Sequence, residues 1–362
     1  MRTSITLVAI LFCSGMYLPT GVKAQAVTQP RTPSPAAEVT QTIGISNVTV
    51  NYSRPAVRER EVWGALVAYG WNVQGFGAGN EAPWRSGANE NTTITLSHPA
   101  KVQGKMVPAG TYGLFFVINE DNSGEVILNT ENKAWGSYWY DPANDVARAD
   151  IQINDIPHVE RLTYDFINID RTSADLVLEW ETKQFPVKIE FDVDAIVYEN
   201  AKAELHGATG FSWQGFNSAA NYLLANNYQL DQALVWSSTA IAQNPSFTTM
   251  NTKVRILEAQ GKTKEAAEMR KKALAVANEG ELNTYAYQLI NEGKNDEAIK
   301  IFRENTKNFP MSANAWDSLG EGLFLSGKKK DSVQYFKKSL SMNPPANVKA
   351  NSERYLKQMG EM

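Results

Sequence analysis

The residues best suited to chemistry lie in one short polar stretch, residues 84–91, which reads WRSGANEN. It places an aromatic ring, a guanidinium, a carboxylate and two amides on a glycine-containing loop. The strand-like residues 92–96 follow, and loops anchored by a rigid strand often carry binding groups. Together with the nearby residues 52–55, this loop predicts a ligand site made of Tyr52, Arg54, Trp84, Arg85, Asn89 and Glu90.

Three interpretations of these side chains remain open. Arg54 precedes a proline, which holds its backbone extended, and its guanidinium is suited to clasping a carboxylate or phosphate. Alternatively, Arg54 or Arg85 pairs with Glu90 to fasten the loop, and Asn89 caps a turn. The third interpretation is acid–base catalysis by Glu90, which has no evident second carboxylate. We assign no catalytic residue.

Other candidate chemistry is weaker. The three histidines lie far apart without paired spacing, so we expect no metal site, and no motif points to a cofactor. A group of aromatic residues forms either a stacking platform for a glycan or a core with an exposed strand edge. That group consists of Trp135, Tyr138, Trp139 and Tyr140.

The elements that position these residues have the two-residue period of β-strands. Val48, Val50 and Tyr52 alternate with polar residues, and similar runs separated by turn residues recur up to residue 193. We predict an all-β antiparallel sandwich of eight or nine strands over residues 39–194. Two segments interrupt it: residues 57–67, predicted as a short helix, and residues 70–83, predicted as a long flexible loop.

After residue 195 the apolar period becomes helical, and small residues recur at intervals of about 32 to 34 residues. The recurring glycines are Gly261, Gly293 and Gly327, and the recurring prolines are Pro245, Pro310 and Pro344. This pattern resembles the tetratricopeptide repeat, a helix–turn–helix unit of that length. We therefore predict an α-helical tetratricopeptide-like array, with a connecting helix at 195–213, about four repeats over 214–345 and a capping helix at 346–362.

In such repeats the first helix of each unit lines the inner groove. The register of the glycines and prolines places these helices near Phe216, Thr248, Asn283 and Ala313. Their polar residues predict a binding surface for an extended protein or peptide, because asparagine offers both a donor and an acceptor. The residues are Asn217, Asn221, Asn251, Lys253, Asn283 and Asn314. The alternative is that the first domain or water fills the groove.

The first 24 residues have the features of an export signal. Arg2 is followed by an apolar run at residues 5–12, and Ala24 ends a cleavage site. The run is too short to span a bilayer, and we expect no transmembrane segment. Cys13, the single cysteine, would leave with the signal, so the mature protein would have no disulfide. A proline-rich linker is predicted at 25–38. We expect a periplasmic or secreted protein.

Charge divides with the architecture. Residues 25–200 contain 13 Lys and Arg against 23 Asp and Glu, a net charge of −10, whereas residues 201–362 contain 20 against 16, a net charge of +4. An acidic first half and an exported location both argue against a nucleic-acid partner.

Several ordered motifs link the first half to a known family. They read VTVNYSRP at residues 48–55, VWGALV at 62–67, WRSGANE at 84–90 and PAGTYGL at 108–114. The region from about 40 to 195 resembles a family of secreted bacterial proteins called domain of unknown function 2911. The resemblance implies a secreted β-rich domain and brings no known activity. The chain departs from the family pattern at residues 70–83, where an insertion precedes Trp84.

Two classes of function follow. The preferred one is an exported binding protein, in which a β-sandwich recognition domain is joined to a protein-binding helical array. The β domain would then take a small-molecule or glycan ligand. The alternative is a hydrolase acting on cell-envelope glycan or peptide, with Arg54, Arg85 and Glu90 in its site.

Overall fold

A computed structural model describes residues 33–362. The chain divides between Phe191 and Asp192 into two compact units, a β unit and a helical unit. The division lies three residues before the predicted end of the β domain at 194. The predicted signal peptide and residues 25–32 of the predicted linker lie outside the described residues.

The β unit contains twelve strands within residues 33–191. In chain order they are β1 (Ala36–Ile43), β2 (Ser46–Ser53), β3 (Asn72–Val73), β4 (Glu81–Ala82), β5 (Thr93–Leu96), β6 (Ala100–Val102), β7 (Lys105–Val107), β8 (Gly110–Ile118), β9 (Ser123–Asn129), β10 (Asp145–Gln152), β11 (Asn154–Ile167) and β12 (Ser173–Glu190). A six-stranded sheet has the order β1-β2-β5-β8-β9-β10, and a four-stranded sheet has the order β11-β12-β6-β7. Neighbouring strands are antiparallel.

The core lies between the two sheets and follows the alternation of the sequence. Val48 of β2 pairs with Leu96 of β5, and both side chains are buried. Across the sheets, Phe116 of β8 packs against Phe185 of β12, with ring centroids 5.2 Å apart. Side chains of both sheets thus share one core, as in packed β-sheets.

Residues 57–67 do not form the predicted short helix; that prediction was wrong. Arg58 and Glu59 have φ angles of 50° and 57°, in the left-handed region that ends a right-handed helix. Trp63 and Val67 then form a β-bridge, and Val67 O accepts from Gly64 N at 2.8 Å. The segment is a compact pair of turns.

Other differences concern short or edge strands. The segment predicted as a flexible loop at 70–83 contains the small hairpin of β3 and β4. Strand β1 begins at Ala36, inside the predicted linker. Strand β12 is 18 residues long and contains Glu181, whose φ of 53° interrupts its extended backbone. Short polar strands carry too little apolar alternation to be recognised from sequence.

The helical unit contains ten α-helices: α1 (Val193–Leu205), α2 (Trp213–Ala225), α3 (Leu230–Gln243), α4 (Phe247–Ala259), α5 (Thr263–Val276), α6 (Glu279–Asn291), α7 (Asn295–Asn308), α8 (Ala313–Leu325), α9 (Lys329–Leu340) and α10 (Ala346–Gln358). Helix α1 ends at Leu205 and a 3-10 turn follows, where a continuous helix was predicted to 213. Helices α2 to α9 pack as four successive pairs. None of the helices in residues 33–362 is long and apolar enough to cross a lipid bilayer.

The recurring small residues explain why the helices pair. Gly261, Gly293 and Gly327 follow the first helices with φ angles of 72°, 74° and 80°, the left-handed conformation that ends a helix. On the second helices, small side chains at one repeat position are fully buried and allow close approach; they are Ala233, Ala266, Ala298 and Ser332. The predicted β-then-helical fold class is confirmed, as is the tetratricopeptide-like character of the helices.

Helix α10 is held on α8 by hydrogen bonds to two carboxylates. Ser352 Oγ donates to Asp317 Oδ1, and Asn351 Nδ2 donates to Asp317 Oδ2 at 2.8 Å. Tyr355 OH donates to Glu321 Oε1 at 2.8 Å. Burial raises the pKa of Asp317, because the interior disfavours its charged form.

The close packing of α8 on α7 can be tested by enlarging a glycine at their contact. A Cβ at Gly322 would lie 2.5 Å from the Phe302 ring. We expect Gly322→Ala to lower the free energy of unfolding of the helical unit by about 1–2 kcal/mol, because overpacking outweighs the gain in helix propensity. Urea unfolding followed by circular dichroism at 222 nm measures it.

The matched control is Gly280→Ala in the first turn of α6, where an added Cβ would lie 3.5 Å from its nearest neighbour, Asn278 Oδ1. This change should be neutral or stabilising by up to about 1 kcal/mol. Equal effects of the two substitutions would contradict the packing argument.

Candidate functional site

The interior of the β unit contains a cluster of large aromatic side chains, which we call the aromatic cluster: Trp63, Trp84, Trp180 and Phe185. Trp84 and Trp180 are stacked, with ring centroids 6.0 Å apart and an interplanar angle of 16°. Trp63 meets both indoles edge-on, at 5.7 and 5.8 Å. Such pairs add to the stability given by burial alone, so the cluster holds the loop that carries Trp84.

That loop is fastened to strand β8. Trp84 N donates to Phe116 O at 2.9 Å, and Phe116 N donates back to Trp84 O at 3.0 Å. Two residues later, Ser86 Oγ donates to Leu114 O at 2.7 Å, and Ser86 O accepts from Tyr164 OH at 3.1 Å. The polar stretch recognised in the sequence is therefore bonded to both sheets.

A cavity of about 530 Å³ opens beside the stacked indoles. We call it the arginine pocket, because three arginines line it and the described lining residues include no carboxylate. Its lining is Pro33, Ser34, Pro55, Ala56, Arg58, Arg60, Leu66, Val67, Gln74, Trp84, Arg85, Gly87, Ala88, Asn89, Ser137 and Trp180. The volume falls in the usual range of ligand pockets.

Two of the guanidinium groups are held by backbone oxygens. Arg85 Nη1 donates to Asn89 O at 2.7 Å, and the Arg85 guanidinium lies 5.1 Å from the Tyr138 ring centroid. Arg60 Nε donates to Val57 O at 2.9 Å, and its Nη2 donates to Ala56 O. A guanidinium has five N–H donors, so these bonds fix its position without exhausting its donors.

The structure brings together three of the six predicted ligand-site residues. Trp84, Arg85 and Asn89 line the arginine pocket. Tyr52 is 7 % exposed, and its hydroxyl accepts from Tyr164 N at 3.2 Å within the core. The described lining also leaves out Arg54 and Glu90.

Arg54 is engaged elsewhere, because its Nε donates to Leu162 O at 2.9 Å and its Nη2 to Thr163 Oγ1 at 2.6 Å. These bonds tie the end of β2 to β11. Glu90 is exposed at the loop surface. Arg85 fastens the loop through Asn89 O, and Asn89, with a φ of 63°, donates from its Nδ2 to Ser34 O at 3.3 Å.

Sequence reasoning missed Arg58, Arg60 and Trp180. The sequence did contain a signal for Arg58 and Arg60, because both lie within a few residues of the SRP motif at residues 53–55. The incorrect helix at 57–67 concealed it, since a helix would have turned these two side chains about 200° apart. Trp180 lies on β12 and reaches the pocket only through the fold.

The aromatic group at residues 135–140 divides between core and surface. Tyr140 is buried, and its hydroxyl donates to Asp145 Oδ2 at 2.7 Å. Burial raises the pKa of Tyr140. Trp135 and Trp139 are each 48 % exposed. The group therefore does not form one continuous platform of exposed rings.

In the helical unit, a second cavity of about 530 Å³ lies along the first helices α2, α4 and α6. We call it the asparagine groove. It is lined by Asn217, Asn221, Phe247, Thr248, Asn251, Thr252, Arg255, Asn278, Gly280, Glu281, Thr284, Tyr285 and Gln288. Phe247 and Tyr285 meet edge-on at 5.6 Å and give the groove an apolar part.

Three predicted protein-binding residues share this groove. Asn221 Nδ2 donates to Asn217 O at 2.9 Å and to Thr252 Oγ1 at 3.2 Å, which links α2 to α4. Asn217 is only 8 % exposed, and its Oδ1 has no hydrogen-bond partner among the described residues. Asn251 lines the groove one repeat further along.

The other three predicted residues lie outside the described lining of the groove. Lys253 Nζ donates to Ser238 Oγ of α3 at 3.0 Å. Asn314 Nδ2 donates to Glu279 Oε1 at 2.9 Å and links α8 to α6. Asn283 is partly buried, and its Oδ1 also has no partner within residues 33–362.

One region of the chain matches a known protein family. Residues 34–189 match the family described as "Protein of unknown function (DUF2911)". The resemblance predicted for residues 40–195 is thereby confirmed. The family description carries no activity, so the DUF2911 region gains no catalytic residue from it. No curated protein matches the chain.

Solved structures match the helical part of the chain at low identity. YrrB, described as a TPR protein with an unusual peptide-binding site, is 18 % identical, with 44 % of this chain and 83 % of that chain covered and a TM-score of 0.26. PilF of Pseudomonas aeruginosa is 22 % identical, covering 43 % and 72 %, with a TM-score of 0.27. MamA of Desulfovibrio magneticus RS-1 is 11 % identical, covering 43 % and 88 %, with a TM-score of 0.27. The helix pairs and their capping glycines, rather than these distant likenesses, establish the repeat array.

The Arg85 guanidinium packs against the backbone of Gly136, which has no side chain to displace it. Gly136 has a φ of 68°, and a Cβ there would lie 2.1 Å from Arg85 Cζ. We expect Gly136→Ala to destabilise the β unit by about 2 kcal/mol or more, from left-handed strain plus the clash. In an Arg85→Ala background only the strain of roughly 1–2 kcal/mol should remain. Urea unfolding of the wild type, the two single variants and the double variant measures the interaction energy between the two positions. An equal loss of unfolding free energy on Gly136→Ala in both backgrounds would contradict the contact.

Proposed function

We propose that the protein is an exported interaction scaffold whose helical unit binds a polypeptide segment in the asparagine groove. A β domain of unknown function joined to tetratricopeptide-like helices is the composition of a protein-interaction scaffold. In this proposal the asparagine side chains of the first helices hold the backbone of the bound polypeptide.

The observation that carries the proposal is the unpartnered amide oxygen of Asn217. A buried acceptor without a hydrogen bond costs about 1–3 kcal/mol. Within the described residues, Asn217 Oδ1 is such an acceptor and belongs to a side chain that lines the groove. A backbone N–H of a bound polypeptide would satisfy it, since every residue except proline supplies one donor.

The same helix position recurs in each repeat. Asn217, Asn251, Asn283 and Asp317 are each the fifth residue of a first helix, α2, α4, α6 and α8. In the last repeat, Asp317 accepts hydrogen bonds from α10. This internal example supports the proposal, because there an added segment of polypeptide supplies donors to the repeated position.

The mixed chemistry of the groove favours a peptide over a small apolar ligand. Arg255 and Glu281 line it with opposite charges, and Phe247 and Tyr285 supply aromatic surface. A polypeptide offers charged side chains, apolar side chains and backbone amides together. Asparagines that bond backbone groups hold such a partner with little dependence on its side chains.

The alternative hydrolase, with Arg54, Arg85 and Glu90 in one site, has less support. Only Arg85 of these three lines the arginine pocket. The described lining has no carboxylate to act as general acid or base. Binding remains the function that the geometry favours for both units.

Selection of peptides tests the groove. The purified full chain is used to select from a library of random peptides of about 12 residues, and the affinities of the selected peptides are measured by isothermal titration calorimetry. We expect Asn217→Ala and Asn251→Ala each to weaken binding about 3- to 10-fold, the effect of one lost hydrogen bond.

Lys253→Ala is the matched control, because Lys253 lies on the same helix as Asn251 but bonds Ser238 of α3. It should leave the affinity unchanged. Selection of no peptide, or equal affinity of the wild type and both asparagine variants, would refute binding in this groove.

We also propose that the protein is exported and acts in the periplasm or outside the cell. The charged start, the apolar run at residues 5–12 and the small residue Ala24 support this. The mass of the natively expressed protein should correspond to a chain that begins at Gln25. A mass that includes Met1 would contradict export with cleavage.

A further inference from the structure

The arginine pocket has a charge opposite to that of the domain around it. Residues 25–200 carry a net charge of −10, yet the side chains of Arg58, Arg60 and Arg85 line one cavity. No carboxylate appears in the described lining to neutralise them. Three arginines that meet in an acidic domain, with no carboxylate among the described lining residues, need a separate explanation.

Three acidic residues that adjoin the Arg58 turn lie outside the described lining. Glu59 and Glu61 alternate with the arginines along the chain, but both are exposed and neither belongs to the described lining. Glu160 Oε1 accepts from the backbone N of Arg58 at 3.1 Å, and Glu160 does not belong to the described lining. Within the described residues, the three arginines therefore have no carboxylate beside them in the lining of the cavity.

The left-handed turn at Arg58 and Glu59 is a second feature of the pocket. Non-glycine residues adopt φ angles of 50° and 57° at an energetic cost, and such residues concentrate at functional sites. The turn brings Arg58 and Arg60 to the same cavity as Arg85, which comes from a different loop. Backbone oxygens of Ala56, Val57 and Asn89 then orient two of the three guanidinium groups.

Part of the pocket lining is apolar. Trp84 and Trp180 are stacked there, and Trp180 lines the cavity although it is only 1 % exposed. Leu66 and Val67 add aliphatic surface. Apolar walls lower the local dielectric, which strengthens the attraction between a guanidinium and an anion.

We propose that the arginine pocket binds a small anion, a carboxylate or phosphate monoester carried on an apolar body. The guanidinium groups provide the paired N–H donors that match either oxyanion, and Trp84 and Leu66 provide apolar surface for the body. Ser34, Gln74, Asn89 and Ser137 supply further polar groups to select among such ligands. This site is independent of the polypeptide groove of the helical unit.

A matched set of probes tests the proposal with the full chain. Carboxylic acids and phosphate monoesters with phenyl, naphthyl and indolyl bodies are compared with the neutral alcohols and amides of the same bodies, by isothermal titration calorimetry. We expect at least one acid or phosphate to bind about 10- to 100-fold more tightly than its neutral counterpart, as a charge-assisted hydrogen-bond pair would give. Comparison of the carboxylates with the phosphates identifies the preferred anion.

Two variants locate the binding. Arg85→Gln and Arg58→Gln should each weaken the best anion about 10-fold or more and leave the neutral probes unaffected. Arg58 is exposed on its turn, so Arg58→Gln keeps the test valid if Arg85→Gln fails to fold. Arg148→Gln is the matched control, because Arg148 also lies beside an indole, 4.7 Å from the Trp71 ring, but outside the described lining.

Anion binding that both pocket variants weaken and Arg148→Gln does not would support the site. The proposal is overturned if no anion in the set binds the wild type, if neutral and anionic probes bind equally, or if Arg148→Gln weakens binding as much as the pocket variants do.

Discussion

The close approach of paired helices is the constraint on which the helical unit depends. A single tetratricopeptide-like pair cannot bury its apolar face alone, so each pair must pack on the next. Fully buried small residues such as Ala298 and Ser332 permit that packing, and Gly322 lets α8 contact Phe302. The repeat also determines which side chains line the groove. Equivalent positions of successive first helices lie on one face, so the asparagines of α2 and α4 come together.

Different interactions position the site residues of the β unit. Stacked indoles and backbone bonds to β8 immobilise the loop of Trp84, and the left-handed turn after β2 supplies two arginines from a separate segment of the chain. Neither segment has regular secondary structure, yet each is held by buried contacts. Binding groups on irregular segments are positioned in this way when a rigid scaffold supports them.

The parts predictable from sequence were those that repeat. Alternating apolar residues indicated the main strands, and the spacing of Gly261, Gly293 and Gly327 indicated the helix pairs. The turn at Arg58 was not predictable, because an apolar pattern at residues 57–67 fits a helix and nothing local reports a positive φ. Arg54 was misplaced for a related reason: its partners, Leu162 and Thr163, are 108 and 109 residues away along the chain. Long-range bonds of this kind leave no local pattern.

Site-specific photo-crosslinking tests most directly the central claim, that the first helices bind a polypeptide. A photoreactive phenylalanine analogue is placed at Thr248, an exposed residue of the asparagine groove, or at Lys264, an exposed residue of α5 outside it. The full chain is irradiated with a selected peptide, and the crosslinked residues are identified by mass spectrometry. We expect crosslinks from position 248 and essentially none from position 264. Crosslinking from position 264 alone, or equally from both, would contradict the claim.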